Sequence, residues 1–218
     1  MTLKEILKKN NAFLIPVLIF ISAGIVFLSI FQKEEIHLWI NSKHSPFFDS
    51  FFKYITHLGD GWVFPAGIAI LAFVKWRNVL GLIICSLITL LLIGSLKNFV
   101  FNDVPRPVKY FEGSQELRLV EGVTMNMMKS FPSGHTTAAF AFWGFIALVI
   151  RNPKLKFTFF CIGALAAYSR MYLSQHFLED IVAGSILGTL ICILSYSISS
   201  KWKKGVLDKK INLIKYGN

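Results

Sequence analysis

Six apolar stretches dominate this sequence and restrict the folds open to it. They are Ala12–Phe31, Trp62–Val74, Val79–Leu96, Thr136–Ile150, Phe157–Ala167 and Ile181–Ile198. A membrane-spanning helix needs roughly 20 apolar residues to cross the hydrocarbon layer. The first, third and sixth stretches meet that length alone, and the others meet it with flanking residues. Because only 16% of the 218 residues are charged, we predict an all-α polytopic membrane bundle of six transmembrane helices.

The basic residues predict the orientation of this bundle. With six spans both termini share a side, and that side carries 14 of the 23 Lys and Arg residues, opposed only by Glu5 and Asp208. Because cytoplasmic loops are enriched in Lys and Arg, we predict cytoplasmic termini. The net charge of +11 is then mainly an anchor to anionic lipid of the bilayer. It therefore does not indicate nucleic acid as a partner.

The sequence predicts a single membrane domain over residues 1–218, with a motif-bearing core of about residues 62–198. Extracytoplasmic loops are expected at 32–60 and 102–132, and a basic cytoplasmic tail at 200–218. Within the first loop, the aromatic-rich Pro46–Ile55 segment predicts an amphipathic helix at the membrane interface. His44 and His57 of this loop are expected to be solvated or interfacial.

The segment Pro132-Ser133-Gly134-His135-Thr136 stands directly before an apolar helix. A helix start exposes backbone N–H groups at the positive end of the helix dipole, which suits an anion. Gly134 would also let the backbone approach a ligand closely. The alternative is a simple N-cap at Ser133 with an unrelated histidine beside it.

His176 and Asp180 are four residues apart, so on a helix they face the same way. A carboxylate at that position can accept a hydrogen bond from one imidazole nitrogen and leave the other free as a nucleophile. A buried structural pair is the alternative. The neighbouring Gln175 and Glu179 are expected to be orienting or solvated residues rather than catalytic ones.

Three cations, Lys97, Arg106 and Arg170, stand at the outer ends of predicted spans. The only anion with a clear position near them is Asp180, which is already assigned to His176. Such a group predicts a phosphate site, and two histidines beside it predict phosphoryl transfer, with one as nucleophile and the other as acid. For Lys97 alone, a snorkelling side chain is the alternative.

No metal or other cofactor is expected. The sequence offers no acidic cluster for magnesium, so the cations must neutralise the charge of the transition state themselves. The three cysteines, Cys85, Cys161 and Cys192, lie within apolar stretches and without metal-ligand spacing. They are therefore expected to be buried small side chains.

These motifs resemble the type 2 phosphatidic acid phosphatase superfamily of integral-membrane lipid phosphatases. The resemblance rests on Lys97 to Arg106-Pro107, on Pro132-Ser133-Gly134-His135, and on Ser169-Arg170 through His176 to Asp180. The first motif departs from the family pattern, because eight residues separate Lys97 from Arg106, a longer spacing than the family's.

The resemblance implies a role for each motif residue. His176 would be the nucleophile that forms a phosphohistidine, Asp180 its orienting carboxylate and His135 the general acid. The residues that would hold the phosphate oxygens are Lys97, Arg106, Ser133, Gly134 and Arg170. Ser169 is expected to be structural.

We therefore expect a metal-independent phosphatase for a lipid phosphate or diphosphate. Its site would face the periplasm or exterior from a bacterial inner membrane. Undecaprenyl diphosphate, phosphatidylglycerol phosphate, phosphatidic acid and lipid A phosphate all fit the motifs. A phosphate-lipid binding protein without catalysis and a phosphatase for soluble esters are the alternatives. The sequence leaves the oligomeric state open.

Overall fold

The computed structural model describes residues 2–202, 205 and 207. Over residues 2–202 the regular structure is helical throughout, without a strand, so the all-α prediction is confirmed. The helices are α1 (Leu3–Lys9), α2 (Asn11–Ile30), α3 (Lys33–Asn41), α4 (Pro46–Ile55), α5 (Val63–Ala72), α6 (Trp76–Ser95), α7 (Pro107–Tyr110), α8 (Gly134–Val149), α9 (Pro153–Tyr172) and α10 (Leu178–Ser200). Most of the predicted basic tail lies outside the described residues.

Every predicted apolar stretch lies in or largely overlaps a helix, but the helices differ in their capacity to span a bilayer. Three are long and apolar enough, namely α2, α6 with its continuation to Val100, and α10. A fourth span is formed if Pro46–Gly59 and α5, which meet at a bend of 58°, are counted together. Helix α8 is apolar but has only 16 residues. The crossing of all six stretches and the side of the termini therefore stay predictions.

Helix α8 occupies the centre of the bundle, where it packs against α9, α10 and α6. Most of its residues are buried, from Thr136 to Leu148. The contact with α10 is close because α10 presents glycine there. A Cβ atom added at Gly188 would lie only 2.5 Å from the carbonyl oxygen of Thr137. Small residues of this kind allow membrane helices to pack backbone against backbone.

The segment predicted as the first extracytoplasmic loop, residues 32–60, is more ordered than the sequence indicated. It contains α3, α4 and a 3₁₀ turn at Thr56–Gly59. The helix expected over Pro46–Ile55 is observed, with Ser45 as N-cap and Pro46 in its first turn, and its place at the membrane interface stays a prediction. Its Phe47 and Tyr54 rings are 71% exposed, whereas Phe52 is buried.

The expectation of a solvated or interfacial His44 is wrong. Its side chain is buried, with Nε2 at 2.9 Å from the carbonyl oxygen of Tyr172. Its ring also stacks on the Tyr172 ring at a centroid distance of 4.1 Å. His57, in contrast, is 57% exposed, as expected.

We predict that Gly188→Ala destabilises the bundle, because the new methyl group would force α8 and α10 apart. Overpacking of this kind costs roughly 1–3 kcal/mol. Gly94→Ala is the matched control, since an added Cβ at this α6 position meets nothing within 4 Å. Thermal unfolding in detergent should show a lower midpoint for Gly188→Ala and an unchanged or higher midpoint for Gly94→Ala. Equal midpoints for the two variants would contradict the packing described.

Candidate active site

A backbone hydrogen bond joins the start of α8 to the first turn of α10. The N–H of Ser133 donates to the carbonyl oxygen of Asp180 at 3.1 Å. The turn that precedes α10 is itself tied to α9, because the N–H of His176 donates to the carbonyl oxygen of Arg170 at 3.2 Å. Two of the three sequence motifs therefore meet at one end of the bundle, as the sequence predicted.

His176 is buried in this turn and is oriented by Asp180. Its Nδ1 lies 3.2 Å from Oδ2 of Asp180. The same oxygen accepts hydrogen bonds from the Ser130 hydroxyl at 2.5 Å and from the Phe177 N–H at 3.0 Å. A carboxylate fixed in this way favours the tautomer with the proton on Nδ1, which leaves the lone pair on Nε2. The structure thus gives the pair the geometry of a nucleophile and its orienting carboxylate.

The electrostatic surroundings keep His176 neutral. Burial lowers the pKa of His176 well below its ordinary value, and the positive charges of Arg106, Lys97 and Arg170 lower the pKa further. His135 contributes in the same direction. A neutral imidazole is the form that can attack phosphorus.

Lys97 and Arg106 are held by carbonyl oxygens of the outer loop. Lys97 lies in a π-helical turn, Leu96–Val100, that continues α6. Its Nζ donates to the carbonyl oxygen of Lys129 at 2.6 Å. Arg106 donates from Nε to the carbonyl oxygen of Met128 at 3.0 Å and from Nη1 to Oε1 of Gln175 at 3.0 Å. Gln175 is therefore an orienting residue, as expected.

Arg170 is buried at the end of α9. Its Nη1 donates to Oγ1 of Thr56 at 2.6 Å, and its Nε has no partner among the described residues. Within residues 2–202, no carboxylate lies within 4.0 Å of Lys97, Arg106 or Arg170. These three side chains, called the cation cage below, present positive charge that the described protein does not neutralise by direct ion pairs.

The start of α8 can supply further hydrogen-bond donors to the cage. The Ser133 side chain caps the helix by accepting from the Thr136 N–H at 3.3 Å. This bond agrees with the simple N-cap alternative for Ser133. In the first helical turn, the N–H groups of Gly134 and His135 have no intrahelical partner. A Cβ added at Gly134 would lie 3.8 Å from Cε of Lys97, so this backbone adjoins the cage.

The structure adds a carboxylate that the sequence reasoning missed. Oδ1 of Asp60 lies 2.5 Å from Nε2 of His135, and Oδ2 of Asp60 lies 2.7 Å from Nδ1 of His57. The statement that Asp180 is the only positioned anion of the region is therefore wrong. The sequence indicates only the local pair, since Asp60 follows His57 by three positions. The contact between Asp60 and His135 depends on the fold, because 75 positions separate these two residues in the sequence.

The remaining motif neighbours have structural partners. The Ser169 hydroxyl donates to the carbonyl oxygen of Ala166 at 2.6 Å, in agreement with its structural assignment. Glu179 is paired with Lys33 at 2.8 Å. Among the described residues, no group of three or more His, Cys, Asp or Glu side chains could hold a metal ion.

A family model for the PAP2 superfamily matches residues 78–204, which is more than half of the chain. The chain belongs to the PAP2 superfamily. The resemblance seen in the sequence motifs is thereby confirmed, and with its apolar helices this PAP2 protein is an integral membrane protein.

Named relatives of this PAP2 protein are lipid phosphatases. It is 26% identical over 181 residues to a lipid A 4'-phosphatase of Porphyromonas gingivalis, covering 78% of this chain and 75% of the relative. It is 29% identical over 140 residues to an undecaprenyl-diphosphatase of Sulfolobus acidocaldarius, covering 64% of each.

Two crystal structures share the fold. Aquifex aeolicus LpxE matches with a TM-score of 0.65 and 27% identity, over 75% of this chain and 93% of that one. The first transmembrane PAP2 type phosphatidylglycerolphosphate phosphatase from Bacillus subtilis matches with a TM-score of 0.64 and 27% identity. That match covers 91% of this chain and 98% of the other.

The lowered pKa of His176 predicts a pH dependence of stability. The unfolded chain takes up a proton near pH 6.5, while folded His176 does not, so stability is full above that pH and falls below it. His176→Asn should reduce the loss of thermal stability between pH 7 and pH 5, by up to about 1.4 kcal/mol per pH unit. Part of the pH dependence should remain in this variant, because burial also lowers the pKa of His37, to about 4.

The control is Gly188→Ala, which is expected to destabilise the bundle without removing a titrating group. Unfolding midpoints in detergent should show the wild-type pH slope for Gly188→Ala and a shallower slope for His176→Asn. A wild-type slope for His176→Asn would mean that His176 titrates normally in the folded protein.

Proposed function

We propose that this PAP2 protein hydrolyses the phosphate or diphosphate of a membrane lipid without a metal, through a phosphohistidine at His176. The observation that carries the proposal is a neutral, buried His176 facing the cation cage. A phosphate group supplies the negative charge that the cage lacks, and the histidine supplies the nucleophile.

The reaction proceeds in two balanced steps. Nε2 of His176 forms a bond to phosphorus while the bond from phosphorus to the leaving oxygen breaks, and His135 donates a proton to that oxygen. Water then attacks the phosphohistidine, His135 takes the proton from the water, and the bond from phosphorus to Nε2 breaks. The products are inorganic phosphate and the leaving group, which is the lipid alcohol from a monophosphate or the lipid monophosphate from a diphosphate.

Phosphate binding is assigned to Lys97, Arg106, Arg170, Ser133 and Gly134. The guanidinium groups offer paired donors to phosphate oxygens, and the helix start adds backbone N–H groups. The longer spacing from Lys97 to Arg106 is accommodated in part by the π-helical turn at Lys97, because such turns insert an extra residue into a helix. This geometry favours a binding role for Lys97 over simple snorkelling.

A lipid substrate is favoured by the surroundings of the cage. Phe99 and Val100, which follow Lys97, are 84% and 58% exposed. Apolar side chains exposed at this depth suit contact with acyl or prenyl chains rather than water. With the charge distribution that predicts cytoplasmic termini, the site faces the periplasm or exterior.

Asp60 is proposed to orient His135. The carboxylate accepts a hydrogen bond from Nε2 of His135 and supports the histidine when it holds the proton. This assignment gives each histidine its own carboxylate, Asp180 for the nucleophile and Asp60 for the acid.

We predict that His176→Ala reduces phosphate release by about 10⁴-fold or more, because the nucleophile is lost. Purified protein should be assayed on undecaprenyl diphosphate, phosphatidylglycerol phosphate, phosphatidic acid, lipid A and a water-soluble phosphate ester, with and without a chelator. Lys8→Gln, at an exposed position of α1 away from the site, is the control and should keep most of the activity.

Each alternative has a distinct outcome in this assay. Activity that persists in His176→Ala rejects the mechanism, and strict dependence on a divalent ion rejects metal independence. Binding without hydrolysis by the wild type identifies a non-catalytic protein. Preference for the soluble ester rejects the lipid assignment.

We predict that Asp60→Ala lowers kcat by about 10- to 100-fold with little change in KM, since general acid catalysis contributes roughly 10²–10⁴-fold. Asp60→Asn keeps a hydrogen-bond acceptor but loses the negative charge. Its kcat should therefore lie between that of the wild type and that of Asp60→Ala. A shift in the pH profile of kcat for Asp60→Asn distinguishes orientation of His135 from a purely structural role. A variant with wild-type kcat and pH profile would exclude the assignment.

A further inference from the structure

A cavity lies at the other end of α8 from His135. It has a volume of about 740 Å³ and lies between the first turns of α6 and α9 and the last turns of α8 and α10. Since α8 has 16 residues and rises about 1.5 Å per residue, this cavity is roughly 24 Å from the candidate active site. It therefore lies at the opposite end of the bundle, which the predicted topology assigns to the cytoplasmic face.

The polar lining of this cavity is strongly basic. It includes Lys9, Lys75, Arg77, Arg151 and Lys156, and no acidic residue lines it within the described part of the chain. Over residues 2–202, no carboxylate lies within 4.0 Å of the four residues other than Arg77. Positive charge is therefore concentrated around one cavity.

Lys156 shows that this charge extends into the protein. Its side chain is only 4% exposed, and its Nζ donates to the carbonyl oxygen of Lys9 at 3.1 Å and to Oδ1 of Asn10. Both partners are neutral. A buried ammonium group is expensive unless an anion approaches it.

By sequence, residues 203–218 contain five lysines and one aspartate, so this segment carries a net positive charge. The apolar part of the lining includes Val74, Leu148 and Tyr196. A ligand that fits both parts carries a phosphate and an apolar portion.

We propose that this basic cavity binds the phosphate group of an anionic molecule, with a lipid headgroup as the source that its apolar wall favours. Basic pockets between membrane helices on the cytoplasmic side are suited to such headgroups. The site is separate from the cation cage and does not depend on the proposed hydrolysis.

The test measures binding rather than activity. Full-length protein in neutral detergent is titrated against fluorescent phosphatidylglycerol, followed by anisotropy. The double variant Lys75→Gln/Arg151→Gln removes two exposed cations of the cavity lining. Lys4→Gln/Lys8→Gln removes the same charge from exposed positions of α1 that do not line the cavity.

We expect affinity to fall about tenfold or more in the cavity variant and less than about twofold in the α1 variant. Equal weakening in both variants, or no change in the cavity variant, would overturn the proposal. Equal competition by phosphatidylcholine would also overturn it, because that headgroup has no net charge. Displacement of the probe by millimolar glycerol 3-phosphate assigns the cavity to a soluble phosphate, and retention assigns it to lipid.

Discussion

The structure depends on buried positive charge that is hydrogen-bonded only to neutral oxygen atoms of the described protein. Arg106 and Arg170 are buried, yet their hydrogen bonds within the described residues go to carbonyl, amide and hydroxyl oxygens. Burial of cations without a counter-ion is unfavourable, and it is tolerated where a ligand brings the opposite charge. Burial lowers the pKa of His176, and the same positive charges lower it further. The cation cage and the proposed nucleophile are therefore one electrostatic unit.

Close packing of α8 on α10 gives this unit its geometry. A Cβ added at Gly184 would lie 2.9 Å from the carbonyl oxygen of Ser133. Without a side chain at this position, the start of α8 reaches the turn that carries His176, and the N–H of Ser133 meets the carbonyl oxygen of Asp180. The contacts that pack α8 on α10 therefore also set the geometry of the site.

The sequence predicted those parts of the site that local spacing encodes. His176 and Asp180 are four residues apart, and Ser133 begins an apolar helix, so short-range geometry was sufficient for both. The three cations could be grouped because each stands at the end of an apolar stretch. The helical class followed from the same stretches, since a lipid environment requires backbone hydrogen bonds within each segment.

The missed features depend on contacts between distant segments. Asp60 meets His135 only because the turn before α5 packs beside α8, and no local pattern encodes that approach. His44 is buried because its ring stacks on Tyr172, 128 positions later in the sequence. A bend of 58° also separates Pro46–Gly59 from α5. Periodicity assigned the second apolar stretch to a span but gave no information about this break.

The account is tested most directly by locating the covalent intermediate. The protein is mixed with a lipid phosphate substrate, quenched in base within one turnover and digested for mass spectrometry. We predict a phosphoryl group on the imidazole of His176, at Nε2, and none on His135. Turnover with the phosphoryl group on another residue, or with no phosphoenzyme at any time of quenching, would contradict the central claim.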